Sequence, residues 1–194
     1  LVETGQHGAY LPGLRMQLGV REPDVRLGDP SDVDTIGQAV RWMAGLAGLL
    51  VRRRSLVEKV FGGVGGVCLV HGDTPSTLMA TLMARRAGLA VAHLESGLRS
   101  GSFREPFPEE LIRVLVMRWA DVLFAPDDAA VVNLASMGVR GRVVRTSGNT
   151  GREALAGVVA DVKPGSGPVV VALHRVENLH RPGRLRAFLS LLSR

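Results

Sequence analysis

From residue 67 onward the chain repeats one pattern: a short apolar run, a polar turn, then a stretch of helical character. VCLVH (67–71) leads through GDTPS into the helix TLMATLMARRAGL. LAVAH (89–93) is followed by a long polar loop to Pro106 and by PEELIRVLVMRWA, which opens at Pro108 with acids in its first turn, as a helix start prefers. DVLFA (121–125) precedes DDAAVVNLASMG, with Gly138 as its C-cap, and RVVRT (142–146) precedes SGNTGREALAGVV. PVVVAL (168–173) precedes a helical tail over about 180–194. Strands alternating with helices predict βαβ units and a parallel sheet. The strands are continuous apolar runs, the signature of a sheet covered on both faces. The expected fold class is α/β, a Rossmann-like parallel sheet with helices on both faces.

The segment ADVKPGSGP (160–168) breaks this rhythm with Pro, Gly and Ser. The expected division is a first domain over 1–160, a linker at 161–168, and the start of a second domain at 169–194. One strand and one helix are too little to fold alone, so the chain is expected to be a piece cut at both ends.

Composition removes several function classes. A single cysteine, Cys68, excludes a disulfide scaffold and a thiolate cluster within the chain. Aromatic residues are only 4% of the chain, which argues against a sheet that stacks RNA bases. The net charge of +6 raises the question of nucleic acid. Lys59 and Lys163 are the only lysines, however, and the one dense basic run, Arg52-Arg53-Arg54, ends an apolar helix, where cations complement the dipole. Without aromatic interleaving or a docking motif, nucleic acid is not an expected partner. The longest apolar stretch, 36–51, carries Gln38 and Arg41 and is too short to span a bilayer. The opening LVETGQHG lacks a basic-then-apolar leader pattern. A cytoplasmic protein without a membrane segment is expected.

In open parallel sheets, ligands bind beyond the carboxyl ends of the strands. Polar residues collect there repeatedly: His71-Gly72-Asp73-Thr74, His93-Leu94-Glu95-Ser96-Gly97, Ser147-Gly148-Asn149-Thr150 and His174-Arg175. The segment VETGQH (2–7) has the same form. Four of the five histidines, His7, His71, His93 and His174, sit at such positions, which suggests a polar cleft. Each element alone has a plainer reading. Asp73 could cap the next helix. Glu95 could pair with Arg99, Glu109 and Glu110 could serve a helix dipole, and Asn149 could be an N-cap. No P-loop, no GxGxxG after a strand, no GxSxG elbow and no zinc spacing occurs, so no metal or cofactor is expected.

Taken together, HGDTPST (71–77), HLESGLRSGSFREPFPEE (93–110), Arg113, FAP (124–126), SGNT (147–150) and HRVEN (174–178) stand in the order and spacing of one family. The chain resembles the non-hydrolysing UDP-N-acetylglucosamine 2-epimerases from about Thr4 to Asn178. The resemblance implies the N-terminal half of a GT-B architecture, two Rossmann-like domains facing across a cleft. It implies interconversion of UDP-N-acetylglucosamine and UDP-N-acetylmannosamine, without nicotinamide or metal. UDP is eliminated across C1–C2 to give a 2-acetamidoglucal and adds back with the proton on the other face of C2. Asp73, Glu95, Glu110 and His174 match the family's catalytic groups. Asp73 and Glu110 are the expected acid–base pair, and Glu95 orients them or binds the sugar. Several carboxylates together are expected to raise one another's pKa. His71, Arg99, Arg113, Asn149 and Arg175 are expected to bind substrate, and Gln6 and His7 match part of an activator site for a second UDP-N-acetylglucosamine. A homodimer, feeding cell-surface polysaccharide synthesis, is implied as well.

The chain departs from that pattern at Ile112, where the family commonly has Asn, at Val176, where it has Arg, and near Ala9, where it has Gln. The family's N-terminal strand, its Gly-Thr-Arg-Pro-Glu loop and most of the uridine-binding domain are absent, so this segment alone is expected to be weakly active or inactive. The alternatives are a hydrolysing relative, a truncated nucleotide-sugar-binding protein without catalysis, and a glycosyltransferase of the same architecture.

Overall fold

The computed structural model describes residues 1–28, 33, 35–103, 107–159, 171 and 182–192. Within them the chain forms two compact units, Leu1–Ala154 and Leu155–Arg194. The linker expected at 161–168 and the strand expected at 168–173 lie outside the described residues, apart from Val171. In the second unit the described structure is the end of a helix that begins at Thr150 and the helix α8 (Pro182–Leu192).

The first unit is built on a four-stranded parallel sheet. Its strands are β3 (Val67–His71), β4 (Ala90–Leu94), β5 (Val122–Ala125) and β6 (Arg142–Arg145), hydrogen-bonded in that order. They fall within a residue of the apolar runs picked from the sequence; β4 is buried at Val91, Ala92 and His93, whereas the edge strand β3 leaves Val67 and Leu69 exposed. Three helices connect them: α4 (Pro75–Ala87), α5 (Glu109–Trp119) and α6 (Asp128–Ser136). The helix α7 (Thr150–Val159) follows β6. A separate parallel pair, β1 (Val2–Glu3) with β2 (Val25–Arg26), precedes them together with α1 (Leu11–Gln17), α2 (Ile36–Val51) and the single turn α3 (Arg53–Ser55). A π-helical turn, Leu56–Val60, joins α3 to the glycine-rich approach to β3.

Two clusters make the core. Val70, Val91, Val116, Met117, Leu123 and Leu134 fill the space between the sheet and its helices. Leu46, Leu56, Val60, Met79, Met83 and Ala87 join α2 to α4. Helix α4 therefore serves both, with Ala84 on the sheet side and Met79 and Met83 toward α2. Each such large side chain stabilises the fold by about 1.5–3 kcal/mol through its burial.

Local chemistry sets the helix ends that matter for the site. Thr74 caps α4 by accepting the Thr77 N–H at 3.3 Å, and Pro75 occupies the first turn. Gly88 ends α4 in the left-handed conformation, its N–H returning to Ala84 O. Helix α2 begins with a reciprocal capping box between Thr35 and Gln38. The basic run lies just past the end of α2, but the cation that meets the α2 carbonyl Leu50 O comes from α4. Arg53 donates to Arg86 O, Arg86 donates to Leu50 O, and Arg54 pairs with Glu58 at 2.8 Å. Among the described residues no helix is long and apolar enough to cross a membrane.

Candidate active site

Because β3 and β4 are parallel and in register, Val70 opposite His93 and His71 opposite Leu94, their carboxyl ends open on the same edge. Asp73 follows the first end and Glu95 the second. What keeps the two turns together is His93. It is wholly buried; one ring nitrogen lies 2.8 Å from Gly72 O and the other 2.8 Å from Ser96 Oγ. Gly72 O can only accept, so Nε2 carries the proton. Burial pushes the His93 pKa down, which favours the neutral ring. The histidine counted at the cleft is thus a bolt between the turns that carry Asp73 and Glu95. Of the other three, His71 has a side chain 54% exposed, His7 is exposed, and His174 lies outside the described residues.

The cap on α4 comes from Thr74, so Asp73 has no capping duty and pairs with Arg113 Nη2. Arg113 Nη1 donates to Glu110 Oε2 at 2.8 Å. Glu110 is fully buried, and Arg99 Nε and the Ser100 N–H also donate to it, at 2.5 and 3.1 Å. Arg99 lies over the Phe103 ring at 5.8 Å. Asp73, Arg113, Glu110 and Arg99 form one alternating chain of charges, drawn from three different segments. Arg99 does not pair with Glu95; its partner is Glu110.

Glu95 belongs to a second group. Its Oε1 accepts the Thr150 hydroxyl at 2.5 Å and the Thr150 N–H at 3.0 Å, and His71 Nε2 stands 3.4 Å away. Its backbone has φ 58, rare for a residue with a side chain, and such strain clusters at functional sites. Asn149 holds the same first turn of α7, its Oδ1 accepting the Gly151 N–H at 2.8 Å, so the plainer N-cap reading of that residue is met.

The expectation of mutually raised carboxyl pKa values is corrected. Burial pushes Glu110 up, but bonds from Arg99 and Ser100 and the charges of Arg99 and Arg113 outweigh it and hold the carboxyl below its usual range. Burial also pushes Glu95 up, and the bonds from Thr150 and His71 likewise outweigh it. Each acid meets its own donors rather than another acid.

Two residues were not among the site residues expected from the sequence. Glu109 precedes Glu110 on α5, and its Oε2 is buried with no hydrogen-bond partner among the described residues. Buried polar atoms are nearly always paired, so this oxygen stands out among the acids of the site. Thr150 stood in the Gly-Asn-Thr turn, and nothing in the sequence linked it to Glu95, 55 residues earlier. Gln6 Oε1 accepts from Ser76 Oγ at 2.5 Å, and Gln6 and His7 line a cavity of about 400 Å³ with Arg15, Thr74 and Ser76. Arg175, like His174, lies outside the described residues. No group of three metal-ligating side chains occurs among the described residues.

The chain is similar to known proteins in sequence and in fold. The chain is 38% identical over 126 residues to the UDP-N-acetylglucosamine 2-epimerase of Bacillus subtilis, covering 60% of this chain and 33% of that protein. It is 32% identical to the UDP-2,3-diacetamido-2,3-dideoxy-D-glucuronate 2-epimerase of Pseudomonas aeruginosa, over 100% of this chain and 54% of that one. A crystal structure of a UDP-N-acetylglucosamine 2-epimerase superposes with a TM-score of 0.63 at 31% identity, covering 84% of this chain and 42% of that one. The UDP-GlcNAc 2-epimerase of Neisseria meningitidis, solved bound to UDP-GlcNAc, gives 0.64 at 27% identity, with the same coverage. The chain thus spans about half the length, or less, of the relatives it matches. The α/β Rossmann-like class expected from the sequence is the fold these structures have in common with it. The family model for UDP-N-acetylglucosamine 2-epimerase matches residues 1–194, and to that family the chain belongs.

Proposed function

We propose that the complete protein interconverts UDP-N-acetylglucosamine and UDP-N-acetylmannosamine by the non-hydrolysing route. A base takes the C2 proton, the C1–O bond breaks, and UDP leaves with the electron pair. The 2-acetamidoglucal then takes UDP back at C1 while a proton arrives at C2 from the opposite face. The sequence is redox-neutral and its atoms balance without water. The C2 hydrogen is a poor carbon acid, so the base must be held within hydrogen-bond reach in a water-poor pocket.

The observation that carries this reading is the forked ion pair of Arg113 with Asp73 and Glu110 at the strand-end edge. It holds Asp73 at that edge through Oδ2, and no hydrogen bond to Oδ1 occurs among the described residues. The saturated, fully buried Glu110 is better suited to hold Arg113 and Arg99 in place than to reach a sugar. We assign the second acid–base role to Glu109, whose orphaned oxygen stands beside it, and to Glu95 the contact with the sugar ring. His174 keeps the catalytic role and Arg175 the substrate-binding role that the family resemblance gives them, and Gln6 and His7 the activator site. We place the protein in the cytoplasm, as a homodimer, supplying cell-surface polysaccharide synthesis.

The test is C2 hydrogen exchange, followed by proton NMR with UDP-N-acetylglucosamine in heavy water. The complete protein is expected to deuterate C2, and Asp73→Asn and Glu109→Gln to abolish it. Exchange retained in both variants refutes the assignment. A second reading has one observation in its favour: the Pseudomonas relative, named for a diacetamido glucuronate, aligns with the whole of this chain. The bond changes at C1 and C2 are the same, so supplying both nucleotide sugars in parallel separates the two readings.

A further inference from the structure

The carboxylate of Glu95 is asymmetric. Its Oε1 receives both donors of a single residue, the hydroxyl of Thr150 at 2.5 Å and its N–H at 3.0 Å. The Thr150 hydroxyl has one proton, and Glu95 takes it. The 3.3 Å contact between Thr150 Oγ1 and His71 Nε2 must then run the other way, with the imidazole donating. No hydrogen bond to Glu95 Oε2 is found among the described residues. The first turn of α7, ten residues long, also presents its positive end to this carboxylate. We propose that Thr150 is a positioning residue for Glu95: it clamps Oε1 with hydroxyl and amide, orders His71 behind it, and leaves Oε2 as the oxygen offered to the sugar.

The proposal rests on the reading of Glu95 as a sugar-facing group. It explains two features together. A left-handed backbone at Glu95 turns the residue out of the line of β4, toward the β6–α7 turn. Donors to the ionised form also favour charge on a carboxylate that burial would neutralise. The chemistry is that of an ionised acid held for a hydroxylated ring, and removal of the clamp both frees the side chain and weakens its charge.

Two substitutions separate positioning from bulk. Thr150→Val keeps the shape and the N–H but removes the hydroxyl; Thr150→Ser keeps both donors. The first readout is the Glu95 carboxyl carbon in a pH titration of the chain by NMR, assigned with Glu95→Gln. Thr150→Val is expected to raise the Glu95 midpoint and Thr150→Ser to leave it in place. The second is C2 exchange by the complete protein, expected to fall about tenfold in kcat/KM in Thr150→Val, the loss of roughly one charge-assisted hydrogen bond. Thr150→Ser is expected to restore it. A Glu95 midpoint unmoved by Thr150→Val, or a Thr150→Ser variant that behaves like Thr150→Val, overturns the clamp. Full exchange in Glu95→Gln instead overturns the catalytic reading of Glu95, and the titration, which needs no substrate, still decides the clamp. Thr150→Ala, read by near-ultraviolet circular dichroism, substitutes for the valine variant if that one does not fold.

Discussion

Replacing Glu110 by Gln tests the reasoning about this site most directly. The carboxylate is wholly buried and takes three donors: Arg99 Nε at 2.5 Å, Arg113 Nη1 at 2.8 Å and Ser100 N–H at 3.1 Å. A carboxamide offers one accepting oxygen, and its NH2 must point at a guanidinium or at a backbone N–H. Arg99 is then left over a neutral group, while Arg113 keeps only Asp73. Stranding a charge beside a broken buried pair costs about 3–5 kcal/mol. The side chains of Arg99 and Arg113 keep 20% and 18% of their exposure, so water recovers part of that, and the low end, about 3 kcal/mol, is expected. Urea unfolding, followed by the fluorescence of Trp42 and Trp119, reads the change. At about 2 kcal/mol per M, the midpoint falls by about 1.5 M. Glu109→Gln is the control. It removes the same charge from the neighbouring position, where Oε2 has no partner among the described residues to lose, and is expected to cost under about 1 kcal/mol. Acid supplies a second check. The folded pKa of Glu110 lies below its ordinary 4.5, so its stabilisation is complete above that value and is lost as pH falls through the folded pKa. The gap between wild type and Glu110→Gln must therefore narrow below about pH 4.5. A cost under about 1 kcal/mol at pH 7, or an equal cost in Glu109→Gln, refutes the account of Glu110 as the buried anchor.

Two further substitutions probe the frame around the site. At Gly97 an added Cβ meets Ala130 O at 2.3 Å and φ is +88, whereas at Gly101 φ is +77 with nothing within 4 Å. Gly101→Ala is therefore expected to cost about 1 kcal/mol for backbone strain alone, and Gly97→Ala at least about 3 kcal/mol because α6 must also shift, measured by the same urea titration. Thr35→Ala removes the capping box on α2 and is expected to cost about 1 kcal/mol, with Thr35→Ser close to wild type in thermal unfolding.

The sheet was legible because its signal is local. An apolar run of four or five residues ended by a polar turn needs no partner to be recognised, and β3 to β6 followed from that alone. The pair β1 and β2 shows the limit. Two-residue strands have no period, and Val25–Arg26 is a strand only because its backbone meets β1. The π-helical turn at Leu56–Val60 likewise has no sequence mark; it is the geometry that puts Leu56 and Val60 into the cluster with Met83.

The site was legible as a set of residues and illegible as a set of bonds. Family spacing picked out Asp73, Glu95 and Glu110, but which acid of the Glu109-Glu110 pair turns inward depends on helix phase. That phase was available in principle. Glu110, Val114 and Met117 stand at i, i+4 and i+7, and all three are buried, so Glu110 lies on the apolar stripe of α5. An acid on such a stripe survives only if cations come to it, and Arg113 on the next turn supplies one. The other, Arg99, comes from the loop after β4, and only the fold brings it there. Glu109, about 100° around the helix, is followed at i+3 and i+7 by the buried Ile112 and Val116, and it differs from Glu110 in that its buried Oε2 has no hydrogen-bond partner among the described residues. The residue that helix packing demands and the residue that chemistry can use are therefore neighbours in the chain. Exchanging their roles by substitution would require rotating α5 by a residue, with Val114 and Met117 leaving the core.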